Sequence, residues 1–306
     1  MARPPAGSTL REGDVVIGVL GANGRLGGLV AQELAARGVP ATALVRRPRS
    51  GLALAARHAD LRDRTSLDAA LSGVHRLLLV TPHGPDQDLL ELAAIHAAAR
   101  AGVERIVKIS GTPTSLGPNG PTSTAVAHWR SERLVEEAGF DFAFLRPSFF
   151  MQNLTERFAA RAGLLGVLAS PLGRAPIAMV DARDVAACAT HALLAEEAGR
   201  RPWHLTGPEA VTIRDVARRL ALRHVAVPGR VASRALARQG ASAFEIEHAE
   251  RMTRFFAAGS DGTVTDHVTR LTARPARRLT DFLDEHAAAF APTTALARVL
   301  THPTGG

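Results

Sequence analysis

One segment constrains this chain more than any other. Val15–Leu20 is a short apolar run, and Gly21-Ala22-Asn23-Gly24-Arg25-Leu26-Gly27 follows it directly. That loop opens a helix over Leu26–Arg37, in which Leu26, Val30 and Leu34 recur at helical spacing. Strand, glycine turn and helix in this order make a phosphate-binding unit. Gly21 forms the tight turn, Gly24 admits a pyrophosphate close to the backbone, and Gly27 lets helix and sheet approach. Asn23, Arg25 and Leu26 complete the loop and count with the glycines as cofactor-binding positions. The spacing is G-x-x-G-x-x-G rather than G-x-G-x-x-G, so the placement carries the meaning, because glycine turns also arise for structural reasons.

The rest of the first half repeats the alternation. Ala41–Val45, His75–Val80, Glu104–Ser110 and Phe140–Leu145 are short apolar runs. Between them lie helical patterns: one capped by Thr65 and running through Leu67 and Leu71 to Gly73, then Asp88–Arg100, then Ala125–Ala138 closed by Gly139. Apolar strands alternating with helices predict an α/β fold, a Rossmann-type doubly wound parallel sheet covered on both faces. Beyond Arg146 the rhythm loosens. Ile177–Val180 and Trp203–Thr206 read as short strands, and Asp181–Leu194, Thr212–Ala221 and Thr280–Ala289 as helices. The expected division is a dinucleotide-binding domain over residues 14–150 and a smaller C-terminal α/β substrate lobe over 151–306. The Gly-, Pro-, Ser- and Thr-rich stretch Gly111–Thr124 reads as a loop that stays mobile until a ligand binds beside it.

The end of the second strand selects the cofactor. A bare ribose is usually held by an acid about 20 residues beyond the glycines. Here Ala41–Val45 runs into Arg46-Arg47-Pro48-Arg49-Ser50, and no acid lies between Glu33 and Asp60. Arginine forks suit a 2′-phosphate, so the expected cofactor is NADP(H), with Arg46 and Arg47 as its candidates. In an arginine-rich chain Arg47 and Arg49 are also read as plain surface residues.

Composition removes other classes. The 306 residues are 46% hydrophobic and 22% charged, ordinary for a globular protein, and no apolar stretch approaches the roughly 18 residues of a membrane span. A cytoplasmic, membrane-free protein is the expectation, as a monomer or homodimer acting on a small molecule. Thirty-seven basic against 29 acidic residues leave a net charge of +8. Those arginines are scattered without interleaved aromatics, which argues against nucleic acid. One cysteine, Cys188, excludes a disulfide framework and sits among small apolar residues, as a packing group would. The 12 histidines show no metal-ligand spacing, so no metal is expected. No G-x-S-x-G elbow follows a strand, which argues against a serine hydrolase.

With these motifs in place, the chain resembles the atypical short-chain dehydrogenase/reductases of the NmrA-like group, relatives of quinone and triphenylmethane reductases. The matching pieces are GANGRLGG at Gly21–Gly28, LVRRP at Leu44–Pro48, ADLRDRTSL at Ala59–Leu67 and LLLVTP at Leu77–Pro82. AHWRSERLVEEAG at Ala127–Gly139, LRPSFFMQNL at Leu145–Leu154, LTGPEAVT at Leu205–Thr212 and the stretch VTDHVTRLTARPARRLTDF follow in order. The resemblance implies that Arg46 meets the 2′-phosphate and that Asp60 and Leu61 flank the adenine. It also implies that Val80, Thr81 and Pro82 line a ribose and that Pro147, Ser148, Phe149 and Phe150 lie near the nicotinamide. The group also contains proteins that sense NADP(H) without turnover.

The departures bear on mechanism. Short-chain reductases use a tyrosine proton donor with a lysine four residues later. This chain has no tyrosine, and Lys108, its only lysine, falls inside a strand. His128 and Glu132 stand at the matching spacing. They are read either as an acid with its orienting carboxylate or as a polar pair stabilising one helix face. Ser110, Thr112, Ser148 or solvent are the other proton sources. Thr112, Phe150, Asn153 and Phe255 are candidate pocket residues, with Phe149, Met151, Phe158 and Phe256 as further walls, each of which also reads as ordinary core. The expected function is NADPH-dependent reduction of a small aromatic or conjugated molecule, such as a quinone, enone or imine of secondary metabolism. A regulator that senses NADP(H), or a non-redox cyclase or isomerase on the same fold, is the alternative.

Overall fold

The computed structural model describes residues 15–159, 162 and 166–291. Nine strands lie among them: β1 (Ile17–Leu20), β2 (Ala41–Val45), β3 (Ala56–His58), β4 (Arg76–Leu79), β5 (Arg105–Ile109), β6 (Asp141–Pro147), β7 (Val167–Ser170), β8 (Arg201–Leu205) and β9 (Arg223–Ala226). Seven form one all-parallel sheet in the order β3-β2-β1-β4-β5-β6-β8. Chain order reverses between β1 and β4, and the carboxyl ends of those two strands define the crevice where such sheets bind nucleotides. Four helices of the first half are α1 (Arg25–Ala36), α2 (Arg64–Leu71), α3 (Gln87–Arg100) and α4 (Ser123–Glu137). The helix Ala182–Leu194 packs beside α1, while α3 packs against both α2 and α4. The expected doubly wound Rossmann sheet is therefore present.

The strands read as continuous apolar runs because both faces are covered. On the α2–α4 side, Leu77 and Leu79 of β4, Ile106 of β5 and Phe142 and Phe144 of β6 pack with Leu67, Ile95, Ala98 and Val135. Lys108 follows Ile106 by two residues, so it points to that same covered face. Cys188 is fully buried, and burial raises its thiol far above the usual range, in keeping with packing.

Several local expectations change. The chain divides into two compact units, one of Met1–Pro147, Ala182–Leu205 and His267–Pro275, the other of Ser148–Asp181, Thr206–Asp266 and Ala276–Gly306. The second half is therefore not one contiguous lobe beginning at residue 151. The run expected at Trp203–Thr206 is β8, paired with β6 in the main sheet. Ile177–Val180 makes only isolated bridges, Phe150 with Val180 and Ile177 with Val211. Asp63, not Thr65, caps α2: its carboxylate accepts from Thr65 N at 2.9 Å and Ser66 N at 3.3 Å. Asp outcompetes Thr here because its carboxylate reaches two first-turn amides.

The second unit has its own core, in which Leu154, Leu168, Ile177, Met179, Phe256 and Phe282 meet. It holds the parallel pair β7–β9 and the helices Ile213–Arg219, Gly229–Arg238, Ala243–Ala257 and Leu279–Glu285. No helix of the described residues is long and apolar enough to cross a membrane.

Candidate active site

The glycine loop sits at the carboxyl end of β1, against β4. Gly21 has φ +85°, and a Cβ there would lie 2.5 Å from the Val80 carbonyl oxygen, so only glycine fits this turn. A Cβ at Gly27 would lie 2.3 Å from the Gly21 oxygen, which is the close helix-to-turn approach the motif requires. Gly24 is different. It is the extended N-cap of α1 (φ −86°, ψ 172°), with no side-chain cap and no acid in the first turn. The first-turn amides of α1 thus offer an anion site, and no acidic residue belongs to that turn.

Around this turn the side chains fit a phosphorylated dinucleotide. Asn23 donates its amide to the Arg47 carbonyl at 2.8 Å, and its Oδ1 is buried without a hydrogen-bond partner. Arg49 reaches back to the Asn23 carbonyl at 3.4 Å. Arg46 and Arg47 are exposed, and among the described residues neither forms an ion pair. His58 of β3 contacts the Arg46 carbonyl at 3.0 Å, tying the end of β2 to its neighbour. Asp60 receives the Arg62 amide at 3.0 Å, so its carboxylate shapes the turn that presents Leu61.

The second feature lies where β4 and β5 end beneath α3 and α4. Glu91 is fully buried, and its Oε1 accepts from Thr81 Oγ1 at 2.7 Å, Lys108 Nζ at 2.9 Å and Gln87 Nε2 at 3.1 Å. Its Oε2 accepts from Ser131 Oγ at 2.5 Å. Lys108 Nζ also lies 3.1 Å from His128 Nδ1. Burial raises the Glu91 carboxyl, but the opposing charges and hydrogen bonds around it, the Lys108 ammonium first among them, more than reverse this and hold it well below the usual carboxylate range. For His128, burial and the Lys108 charge lower the pKa, and Glu91 only partly opposes them. The His128 pKa is thus held below the ordinary imidazole value, whereas an acid titrating near neutrality, as its sequence position suggested, would need it unlowered.

The expected His128–Glu132 pair is not assembled. Both Glu132 oxygens face Arg146 of β6, at 3.0 Å from Nε and 2.5 Å from the terminal nitrogen. A bidentate guanidinium pair outcompetes an imidazole contact for a buried carboxylate. The carboxylate beside His128 is Glu91, which sequence reasoning missed. Two signals pointed to it: a lysine inside an apolar strand, and an acid sharing the buried stripe of α3 with Ala94, Ile95 and Ala98.

Ser110 is buried beyond the end of β5, with its amide on the Leu145 carbonyl at 2.8 Å and its hydroxyl without a hydrogen-bond partner. The next residue, Gly111, lies over the His128 ring, for a Cβ there would be 3.4 Å from Cδ2. The Gly111–Thr124 loop is not open chain. Pro113–Ser115 is a 3-10 turn, Ser115 donates its amide and hydroxyl to the Thr112 carbonyl at 3.0 and 2.8 Å, and Thr122 caps α4. Internal hydrogen bonds replace the solvent that its polar residues would otherwise need.

Of the candidate pocket residues, Thr112 belongs to the first unit and Phe150, Asn153 and Phe255 to the second. Pro147 ends β6. Ser148 donates its hydroxyl to the buried Asp261 at 2.5 Å, which also accepts the Phe149 amide at 3.3 Å. Phe149 meets Phe256 edge to face at 5.2 Å, and Phe256 meets Phe255 at 5.4 Å. Phe149, Met151 and Phe256 are core of the second unit, whereas Phe150 and Asn153 remain half-buried.

Comparison with known proteins agrees with this architecture. The chain is 34% identical over 288 residues to an NAD(P)H azoreductase of Xenophilus azovorans, covering 89% of this chain and 98% of that protein. It is 36% identical over 288 residues to a (4-alkanoyl-5-oxo-2,5-dihydrofuran-3-yl)methyl phosphate reductase of Streptomyces griseus, covering 90% and 99%. Among solved structures, the NADPH complex of an Escherichia coli NADPH-dependent quinone oxidoreductase superposes with a TM-score of 0.78 at 24% identity, covering 88% of this chain and 99% of that one. The model of the NmrA-like family matches residues 14–274. This chain belongs to the NmrA-like family.

Proposed function

We propose that the protein is an NADPH-dependent reductase that transfers hydride to a small conjugated acceptor such as a quinone, an azo compound or an enone. The observation that carries this reading is the uncapped N-terminus of α1 behind an intact glycine turn, beside two arginines that pair with no acid among the described residues. Relatives at 34% and 36% identity that are themselves reductases support it. The amides of α1 hold the pyrophosphate, Arg46 and Arg47 the 2′-phosphate, and Leu61 lies against the adenine. Val80, Thr81 and Pro82 border the ribose, and Pro147 and Ser148 the nicotinamide. The bound cofactor supplies the hydride. The protein orients the acceptor and keeps water from the transfer. Quinones and azo compounds accept hydride without a strong acid, which suits a chain that has no tyrosine and a His128 whose pKa burial lowers.

Steady-state NADPH oxidation with menadione and with methyl red tests the proposal. Turnover with either acceptor supports it. Tight NADPH binding with no turnover on any quinone, azo dye or enone leaves the sensor reading in its place. Cofactor choice is a separate prediction. NADPH should bind more tightly than NADH, and Arg46→Ala should remove most of the difference, about tenfold to hundredfold for a charge-assisted contact. Equal affinities in the unmodified protein would remove Arg46 from the 2′-phosphate.

A further inference from the structure

Lys108 is the chain's only lysine and is 0% exposed. Packing alone does not ask for it. Ile106 and Lys108 share one face of β5, and a methionine would fill the same space without desolvating an ammonium. What the ammonium adds is direction. It carries three donors and no lone pair, and three acceptors lie within reach: Glu91 Oε1 at 2.9 Å, His128 Nδ1 at 3.1 Å and the Ile109 carbonyl at 3.4 Å.

Two arrangements compete for His128 Nδ1. If Nδ1 bears a proton, it donates to Glu91 Oε1 at 3.3 Å. If it does not, it accepts from Lys108. Glu91 Oε1 already accepts three shorter bonds, from Thr81, Lys108 and Gln87, at 2.7, 2.9 and 3.1 Å. A fourth donor at longer range gains little on so crowded an oxygen, whereas Lys108 can satisfy Nδ1 only by donating to it. The remaining groups about the ring do not reverse this balance. From α3 there is also Gln87, whose amide Nε2 lies 3.5 Å from His128 Nδ1 and 3.4 Å from Nε2, nearly equidistant and so in line with neither ring nitrogen. From α4 there are Ser131, committed to Glu91, and Glu132, committed to Arg146. From the segment after β4 there is His83, with ring centroids 6.1 Å apart, and Gly111 covers Cδ2.

We propose that Lys108, anchored by Glu91, is a positioning residue that fixes His128 as a neutral imidazole with its proton on Nε2, making His128 a hydrogen-bond donor rather than a proton-transferring acid. Of the three side chains His128 is the most exposed, at 8% against 1% for Glu91 and 0% for Lys108. In the reduction proposed above, hydride adds to the acceptor with its electron pair and leaves an anion on the acceptor's oxygen or nitrogen. The Nε2–H stabilises that charge without leaving the ring, and water supplies the proton that completes the product. A neutral imidazole in this electrophilic role stays in one state across the pH range where an ordinary histidine would switch.

The test needs no turnover. Long-range proton–nitrogen NMR of the histidine-labelled full chain, free of cofactor, should show His128 with an acceptor Nδ1 and a protonated Nε2, unchanged between about pH 6 and 8. Lys108→Arg should preserve that state. Lys108→Met should turn Nδ1 toward Glu91, so that His128 becomes an imidazolium whose midpoint lies above that in the unmodified protein. Should Lys108→Met fail to fold, Lys108→Met/Glu91→Gln leaves neither charge unpaired, and there the Nε2–H preference should give way to a mixture of tautomers. An imidazolium or an Nδ1–H tautomer in the unmodified protein at pH 7 overturns the proposal. So does a His128 spectrum that neither Lys108→Met nor the double variant alters. The kinetic counterpart rests on the reductase reading: menadione turnover should be flat over that pH interval and acquire a limb in Lys108→Met. Absence of turnover would count against the reductase reading, and the NMR result would stand by itself.

Discussion

Gly24 separates two things that glycines do. Gly21 and Gly27 are steric requirements, since a Cβ at either would lie within 2.5 Å of a backbone oxygen. At Gly24 a Cβ meets only the Gly21 oxygen, at 3.2 Å, and the backbone is an ordinary extended N-cap. Gly24→Asp should therefore leave the melting temperature unchanged or slightly raised, because an N-cap aspartate gains a few tenths of a kcal/mol over glycine. The same carboxylate would occupy the anion site at α1, so NADPH affinity should fall at least about tenfold. Melting curves and a fluorescence titration with NADPH measure the two effects. Undiminished affinity would move the pyrophosphate away from this helix end. The glycine pattern was readable from spacing, because a turn of this kind is local. Which glycine excludes a side chain outright became clear only with Val80 in place.

Among elements, the helix Ala182–Leu194 shows how a non-local partner ends a helix. Its C-terminal carbonyls are held by β-strand arginines distant in sequence. Arg105 is buried and donates to Ala192 O at 3.1 Å, Ala195 O at 2.5 Å and Glu196 O at 2.5 Å, while its Nε pairs with Asp141 at 2.6 Å. Arg76 adds Leu193 O at 2.5 Å and Ala195 O at 3.1 Å. Orphan carbonyls, the negative helix end and a half-buried carboxylate partner meet in one guanidinium. Arg105→Met should cost about 1–3 kcal/mol, the range for losing hydrogen bonds from a charged group to buried carbonyls, and Arg76→Met less. Urea midpoints of the two variants check this order, and near-equal values would mean that the two arginines hold the helix end alike. In the second unit, Gly229–Arg238 and Ala243–Ala257 escaped the sequence reading because Phe256 is their only buried residue. The Ser242–Glu245 capping box was nevertheless a legible start signal.

For the molecule as a whole, the buried titratable groups set how stability responds to acid. Burial, with His267 and Arg146 nearby, lowers His204 from its ordinary 6.5 to about 4, and His128 is lowered as well. Below pH 6.5 the unfolded chain binds protons at these rings that the folded chain refuses. Their contribution is thus complete above that pH and is lost as pH falls through the folded values. Glu91, held below its ordinary 4.5, adds a second loss beneath that pH. Urea midpoints should be steady above pH 6.5, fall down to pH 4, and fall further below it. His204→Gln should flatten the first decline. A protein equally stable at pH 7 and pH 5 would contradict these assignments.

The sequence by itself determined the parallel sheet, the phosphate turn and the arginines at the end of β2. Each of these follows from short-range rules: alternation of apolar runs, glycine at a fixed offset, a charge next to a strand end. Tertiary structure decided which side chains meet. His128 and Glu132 share a helix at a spacing that invites pairing, yet Glu132 turns to Arg146 and His128 to Lys108 and Glu91. The unit built on the main sheet also takes back Ala182–Leu205 and His267–Pro275 from what reads as a separate lobe. The physical reason is the same in both cases. Local pattern fixes which face a residue presents, whereas the partner of a buried charge is whichever opposite group the packing of distant strands and helices brings within hydrogen-bonding distance.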